Sequence, residues 1–261
     1  MLTPLLRVIL PILLCVGLLG CWEWSVAYWS IPSFVLPPPS AILAVFISDG
    51  VSLLHSAWIT LGTTLMAFVL AVISGVALAV LFASSRLAEA LLSPYAVTLQ
   101  VTPVVAIAPL ILVWVGLDRA WLAVLILAWI VAFFPVLASA TAGLKAVDPN
   151  LRDLFRLYHA GFWQTLRRLQ IPSSLPYLLS GIKTAGGLAL VGAVVAEFAA
   201  ASGNTSGLAW RILEAGNRLQ IAKMFAALLL LALMGIVIYA ILSVIEWLLL
   251  HRWHGDRRNN S

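Results

Sequence analysis

Very few side chains in this sequence could do chemistry, and their spacing rules out most reactions. The four histidines, His55, His159, His251 and His254, fall outside the long apolar runs and form no His-Glu-x-x-His pair, the spacing that sets two zinc ligands on one helix face. No Gly-x-Ser-x-Gly elbow is present to expose a nucleophile. Gly181-Ile182-Lys183-Thr184 only echoes the end of a phosphate-binding loop and lacks its first glycine. The chain is therefore expected to be no enzyme, to hydrolyse no ATP itself and to hold neither metal nor cofactor. Cys15 and Cys21 lie together in the first apolar run and suggest no disulfide framework.

The polar groups that remain informative lie inside apolar runs. Glu197 stands in a long uncharged stretch, and a carboxylate in hydrocarbon is costly enough to need a cavity, a partner or the interface. It either lines a path or closes its outer gate, or else lies near enough to the outer surface to be solvated. Thr98, Gln100 and Thr102 precede Pro103, with Pro109 beyond. Prolines free backbone carbonyls and bend helices, which suits a wall lining a water-filled path; a bend needed only for packing is the other reading. Gly181, Gly186, Gly187 and Gly192 let helices approach closely, either within the chain or at a dimer seam.

These groups must be positioned by membrane-spanning helices. Of 261 residues 63% are hydrophobic and only 10% charged, against about 25% charged in soluble domains, and the mean hydropathy is +1.07. The charges fall in islands, and the gaps between them give six spans, about 5–28, 57–83, 92–115, 120–140, 175–201 and 224–250. Each offers at least 20 residues, enough for about 30 Å of hydrocarbon at 1.5 Å per residue. Trp22, Trp24, Tyr28 and Trp29 mark an interface at the end of the first. Leu18-Leu19-Gly20-Cys21 faintly resembles a lipoprotein cleavage box, but the apolar run continues past it, so the segment reads as a span and not a signal peptide. Pro37-Pro38-Pro39-Ser40 reads as a loop, with Ser40 capping a short amphipathic helix that ends near Asp49-Gly50. Six spans put both termini on one side. Eleven Lys and Arg residues then share the side of the termini and four the other, so both termini are expected in the cytoplasm. The net charge of +5 forms no basic stripe on a soluble face, so no nucleic acid is expected as partner.

Residues 145–174 form the longest polar loop. Asp148 suits an N-cap and Pro149 a first helical position. Leu151, Leu154, Phe155 and Tyr158 recur at helical spacing, and His159 stands where that helix would end. A second helix is expected from Gly161 to Gln170, with Phe162, Trp163, Leu166 and Leu169 apolar; Pro172 should stop it, and Ser173 or Ser174 should cap span five. Something must cover the apolar faces of two such helices, either the membrane surface or a partner protein. The loop after span five, Ser202 to Leu208, reads as turns, with a short helix over Ala209–Asn217.

This loop resembles the signature of the permease subunits of binding-protein-dependent ABC importers, Glu-Ala-Ala, three residues, Gly, nine residues, Ile-x-Leu-Pro. Asp153-Leu154-Phe155 stand at the Glu-Ala-Ala positions, His159 at the glycine, and Leu169-Gln170-Ile171-Pro172 at the close. Thr102 to Leu110 and Val195-Ala196-Glu197-Phe198 extend the resemblance over nearly the whole chain, most of all to the nitrate/sulfonate/taurine branch. The resemblance implies an all-α, MetI-like permease fold in a bacterial inner membrane, functioning as a homodimer. It implies that Asp153, Leu154, Phe155, Tyr158, His159 and Pro172 meet a separate ABC ATPase subunit. It further implies an extracytoplasmic substrate-binding protein, and a small solute such as a sulfonate, taurine or nitrate-like anion or a pyrimidine thiamine precursor. Glu197, Gln100, Thr102 and Pro103 are the expected path residues. An ATP-independent channel or facilitator and a non-transporting scaffold are the alternatives from other classes.

Overall fold

In the computed structural model, residues 4–200 and 206–254 are described; Ser202–Thr205, expected to form turns, lie outside them. The elements in order are α1 (Pro4–Tyr28), α2 (Pro39–Ser84), α3 (Arg86–Val101), α4 (Val104–Val115), a 3-10 turn (Leu117–Arg119), α5 (Ala120–Lys145), α6 (Pro149–Leu157), α7 (Phe162–Thr165), a π turn (Leu166–Gln170), α8 (Ile171–Ala199), α9 (Leu208–Asn217) and α10 (Ile221–His254). No strand occurs among the described residues. Among the described residues four helical stretches are long and apolar enough to cross a membrane, or five if the bent pair α3 and α4 is one span. The described apolar part of α1, Leu13–Tyr28, is shorter, within a helix of 25 residues, Pro4–Tyr28.

Three boundaries differ from the sequence reading. The short helix near 40–49 and span two are one helix of 46 residues, because Gly50 alone costs about 1 kcal/mol in a helix and the apolar run resumes at Val51. Span three is broken, with α3 and α4 meeting at 103°. Thr102 before the proline is extended, φ −70° and ψ 124°, as the ring of a following proline demands. Pro172 does not stop its helix. The chain widens into the π turn instead, and the Ile171 N–H reaches back five residues to Leu166, so the turn ahead of Pro172 absorbs the missing donor and the ring. Ser174 then serves no cap; its hydroxyl donates to the Ile171 carbonyl at 2.8 Å.

Contacts divide the chain into two compact units, Met1–Trp58 with Ser206–Ala232 and Ile59–Thr205 with Leu233–Ser261. In the first, Glu23 of α1 accepts from both the N–H (3.1 Å) and the hydroxyl (2.7 Å) of Ser40. The carboxylate thus supplies the cap expected of Ser40 itself, at the positive end of α2. Trp22 and Phe225 pack with ring centroids 5.8 Å apart. Lys223 pairs with Asp49 at 3.2 Å, and Arg211 donates to Ser56 and Glu214, both at 3.0 Å. The short helix expected over Ala209–Asn217 is α9.

The second unit is organised by α5 against α8, its most extensive helix contact. Ala128 and Ala132 of α5 and Ala185, Ala189, Ala193 and Ala196 of α8 are fully buried. Gly181 lies against Ser139 and the Pro135 carbonyl, and Gly192 against Ala128. Those glycines serve contact within the chain, whereas Gly187 faces open space. Small residues let two helices close on each other where lipid removes any hydrophobic drive. Lys183 and Glu246 join two helices of this unit. Lys183, counted with the basic residues on the side of the termini, lies within α8 and pairs with Glu246 of α10 at 2.6 Å, over the ring of Tyr239.

Candidate functional site

The loop after α5 is built as a rigid projection. Asp148 Oδ1 accepts from the Asn150 N–H at 2.8 Å and Pro149 opens α6, as its sequence requires. At the other end the Ala160 N–H bonds the Phe155 carbonyl at 3.0 Å and the His159 N–H the Arg156 carbonyl at 2.9 Å. This is a Schellman cap, and His159 carries its left-handed residue with φ 51°. Imidazole tolerates that conformation better than most side chains, glycine best of all. Beyond the turn, Leu166 and Leu169 are buried, Leu166 within the cluster formed by α5 and α8, and tie the loop to the second unit.

No residue of α6 is buried. Leu154, Leu157 at 77% and Tyr158 at 79% are exposed, as is Trp163 at 73%. Phe155 is half-buried and Asp153 pairs with Arg156 at 3.4 Å. Asp153, Leu154, Phe155, Tyr158 and His159 therefore share α6 and its cap, while Pro172 stands apart in α8. Leu157 was missed in the sequence; its spacing three residues from Leu154 was the available signal. Trp163, read as one face of a longer helix, is separated by exposure from Leu166 and Leu169.

The break between α3 and α4 shapes a second feature. A cavity of about 360 Å³ is lined by Gln100, Thr102 and Pro103, with Ile130, Phe134 and Leu188 across it. Pro103 has no N–H to offer the Leu99 carbonyl four residues back. The Thr98 and Thr102 hydroxyls are engaged with the carbonyls of Pro94 (2.8 Å) and Thr98 (2.7 Å), which leaves the Gln100 amide as the polar side chain of the cavity. Three of the four expected path residues are thus together.

Glu197 is not with them. It is 2% exposed and accepts from the Thr60 hydroxyl at 2.8 Å. Thr60 and Thr64 are also buried, and Thr64 donates to the Thr60 carbonyl at 2.7 Å. A carboxylate so enclosed is neither solvated at a surface nor on the wall of this cavity; hydrogen bonds within the helix packing hold it. Among the described residues no group of three His, Cys, Asp or Glu could hold a metal.

Residues 71–252 match the family model described as binding-protein-dependent transport system inner membrane component. A probable ABC transporter permease protein of Haemophilus influenzae is 31% identical over 248 residues, 95% of this chain and 98% of that one. The riboflavin transport system permease protein RibX of Chloroflexus aurantiacus is 33% identical over 250 residues, 95% of this chain and 90% of that one. In fold, the chain resembles the crystal structure of an amino acid ABC transporter, with a TM-score of 0.65 at 17% identity over 78% of this chain and 96% of that chain. A rigid apolar projection, a broken helix beside a cavity and these matches lead to one statement: the chain belongs to the binding-protein-dependent transport system inner membrane components, and is a multi-pass permease subunit of an ABC importer.

Proposed function

We propose that α6 docks a separate ABC ATPase, and that two copies of this permease pass a small solute delivered by an extracytoplasmic binding protein. The observation that carries this reading is the exposure of Leu154, Leu157, Tyr158 and Trp163 on a projection capped at both ends and anchored by Leu166. Apolar anchors on a rigid helix fit a groove on a partner and transmit its displacement. The bend at Thr102 and Pro103 opens the wall of the path, and Glu197 with Thr60 holds α8 against α2 behind it. Both termini lie in the cytoplasm, with α1 as the sixth crossing. The basic residues still favour this orientation when Lys183 is assigned to α8, by ten against four.

The cavity beside Gln100 has no charged lining. A desolvated sulfonate or nitrate would need a cation there, whereas a neutral heterocycle would find an amide and apolar walls. This supports a pyrimidine-like solute over an anion.

The test is reconstitution of the permease with its ATPase and binding protein in liposomes. Leu157→Asp and Tyr158→Asp each place a charge in the docking groove and lower ATP-dependent uptake by about tenfold or more, with the permease still inserted. Uptake at the unsubstituted rate in both variants, or uptake without nucleotide, rejects docking through α6.

A further inference from the structure

At the end of the second unit where α2 stops and α3 starts, a cavity of about 670 Å³ opens beside α6. It is separate from the cavity at Gln100. Arg86, Lys145 and Arg152 line it, with Glu89 as the one carboxylate. Lys145 is engaged by Glu89 in an ion pair, and neither Arg86 nor Arg152 has an ion pair among the described residues. Two guanidinium groups thus face one space whose one carboxylate, Glu89, is engaged by Lys145. Guanidinium forks suit phosphate oxygens in particular. Gln170, on the same wall, has its Oε1 shielded from solvent and without a donor. The rest of the wall, with Phe82 and Leu144, is apolar and buried, and continues from the ends of two membrane-crossing helices.

We propose that this cavity holds the headgroup of an anionic glycerophospholipid of the phosphatidylglycerol class. Its phosphodiester lies between Arg86 and Arg152, and its glycerol hydroxyl donates to Gln170 once that side chain turns its shielded Oε1 into the cavity. Three features choose a lipid. The cavity sits where apolar helices end, which is headgroup depth. Its apolar wall continues toward hydrocarbon, and basic pockets between membrane helices recognise acidic headgroups. The orphan acceptor asks for a ligand with a hydroxyl as well as a phosphate.

The full-length permease in non-ionic detergent, titrated with phosphatidylglycerol or phosphatidylcholine and read by native mass spectrometry, tests this. Phosphatidylglycerol is retained preferentially, and Arg86→Gln with Arg152→Gln lowers its affinity by about thirtyfold, at roughly fivefold for each arginine. Gln170→Leu, which keeps every charge, weakens phosphatidylglycerol about fivefold and leaves phosphatidic acid, which has no glycerol hydroxyl in its headgroup, unchanged. Equal retention of phosphatidylglycerol and phosphatidylcholine overturns the proposal, as does equal phosphatidylglycerol binding with and without the two arginines. Displacement of phosphatidylglycerol by millimolar glycerol 3-phosphate assigns the cavity to a free phosphate ester. Displacement by the added ATPase subunit assigns it to acidic residues of that protein. Either result also overturns the lipid.

Discussion

Gly181→Ala tests whether the small-residue seam is what sets α5 against α8. A Cβ at residue 181 would stand 2.6 Å from Ser139 Oγ and 3.0 Å from the Pro135 carbonyl oxygen. Comfortable heavy-atom contacts need about 3.5 Å or more, so the helices must part by up to about 1 Å. The Pro135 carbonyl is backbone, and cannot turn aside as a side chain can. Overpacking of this kind costs about 1–3 kcal/mol, and alanine returns about 1 kcal/mol through helix propensity. The net loss is about 1 kcal/mol. Gly187→Ala on the same helix meets nothing within 4 Å and keeps only the gain of about 1 kcal/mol. Thermal unfolding of the purified permease in one detergent should separate the two variants by roughly 6 °C, at about 3 °C per kcal/mol for a chain of this size. Gly181→Ala falls below the unsubstituted protein and Gly187→Ala rises above it. Adding Ser139→Gly to Gly181→Ala removes the side-chain half of the clash and restores part of the loss. Equal midpoints for the two alanine variants would refute the seam.

Two further outcomes follow from particular contacts. Lys183→Ala strands the Glu246 carboxylate, 21% exposed, between α8 and α10 and lowers the unfolding midpoint, while Lys183→Ala with Glu246→Ala recovers at least half of the loss; a double variant as unstable as the single one, in the same unfolding assay, removes the pair from the account. His159→Gly relieves a left-handed residue at φ 51° and stabilises the α6 cap by about 0.5–1 kcal/mol, whereas β-branched His159→Val weakens it by at least 1 kcal/mol. Amide exchange at Ala160, whose N–H closes the cap, slows in the first and quickens in the second; a change of the same sign in both contradicts the strain.

What the sequence determined by itself was whatever local chemistry controls. Long uncharged runs can be satisfied only by helices in hydrocarbon, so the fold class and the apolar cores of most crossings were legible. Asp148, Pro149 and His159 delimited α6 because capping acts within a few residues. Pro103 announced a disturbance, and Gln100 and Thr102 marked its polar side. Only the tertiary structure decided the rest, because those facts join residues far apart in the chain. Propensity could not tell that a π turn would carry the helix through Pro172, since Leu166 and Leu169 fix that turn by burial. It could not choose between a seam within the chain and one between copies for Gly181 and Gly192, because that depends on which helix arrives opposite. Nor could it assign Lys183 to Glu246, 63 residues away, or Glu197 to Thr60, 137 residues away. A charge inside a span announces that it needs a partner, and only packing supplies one.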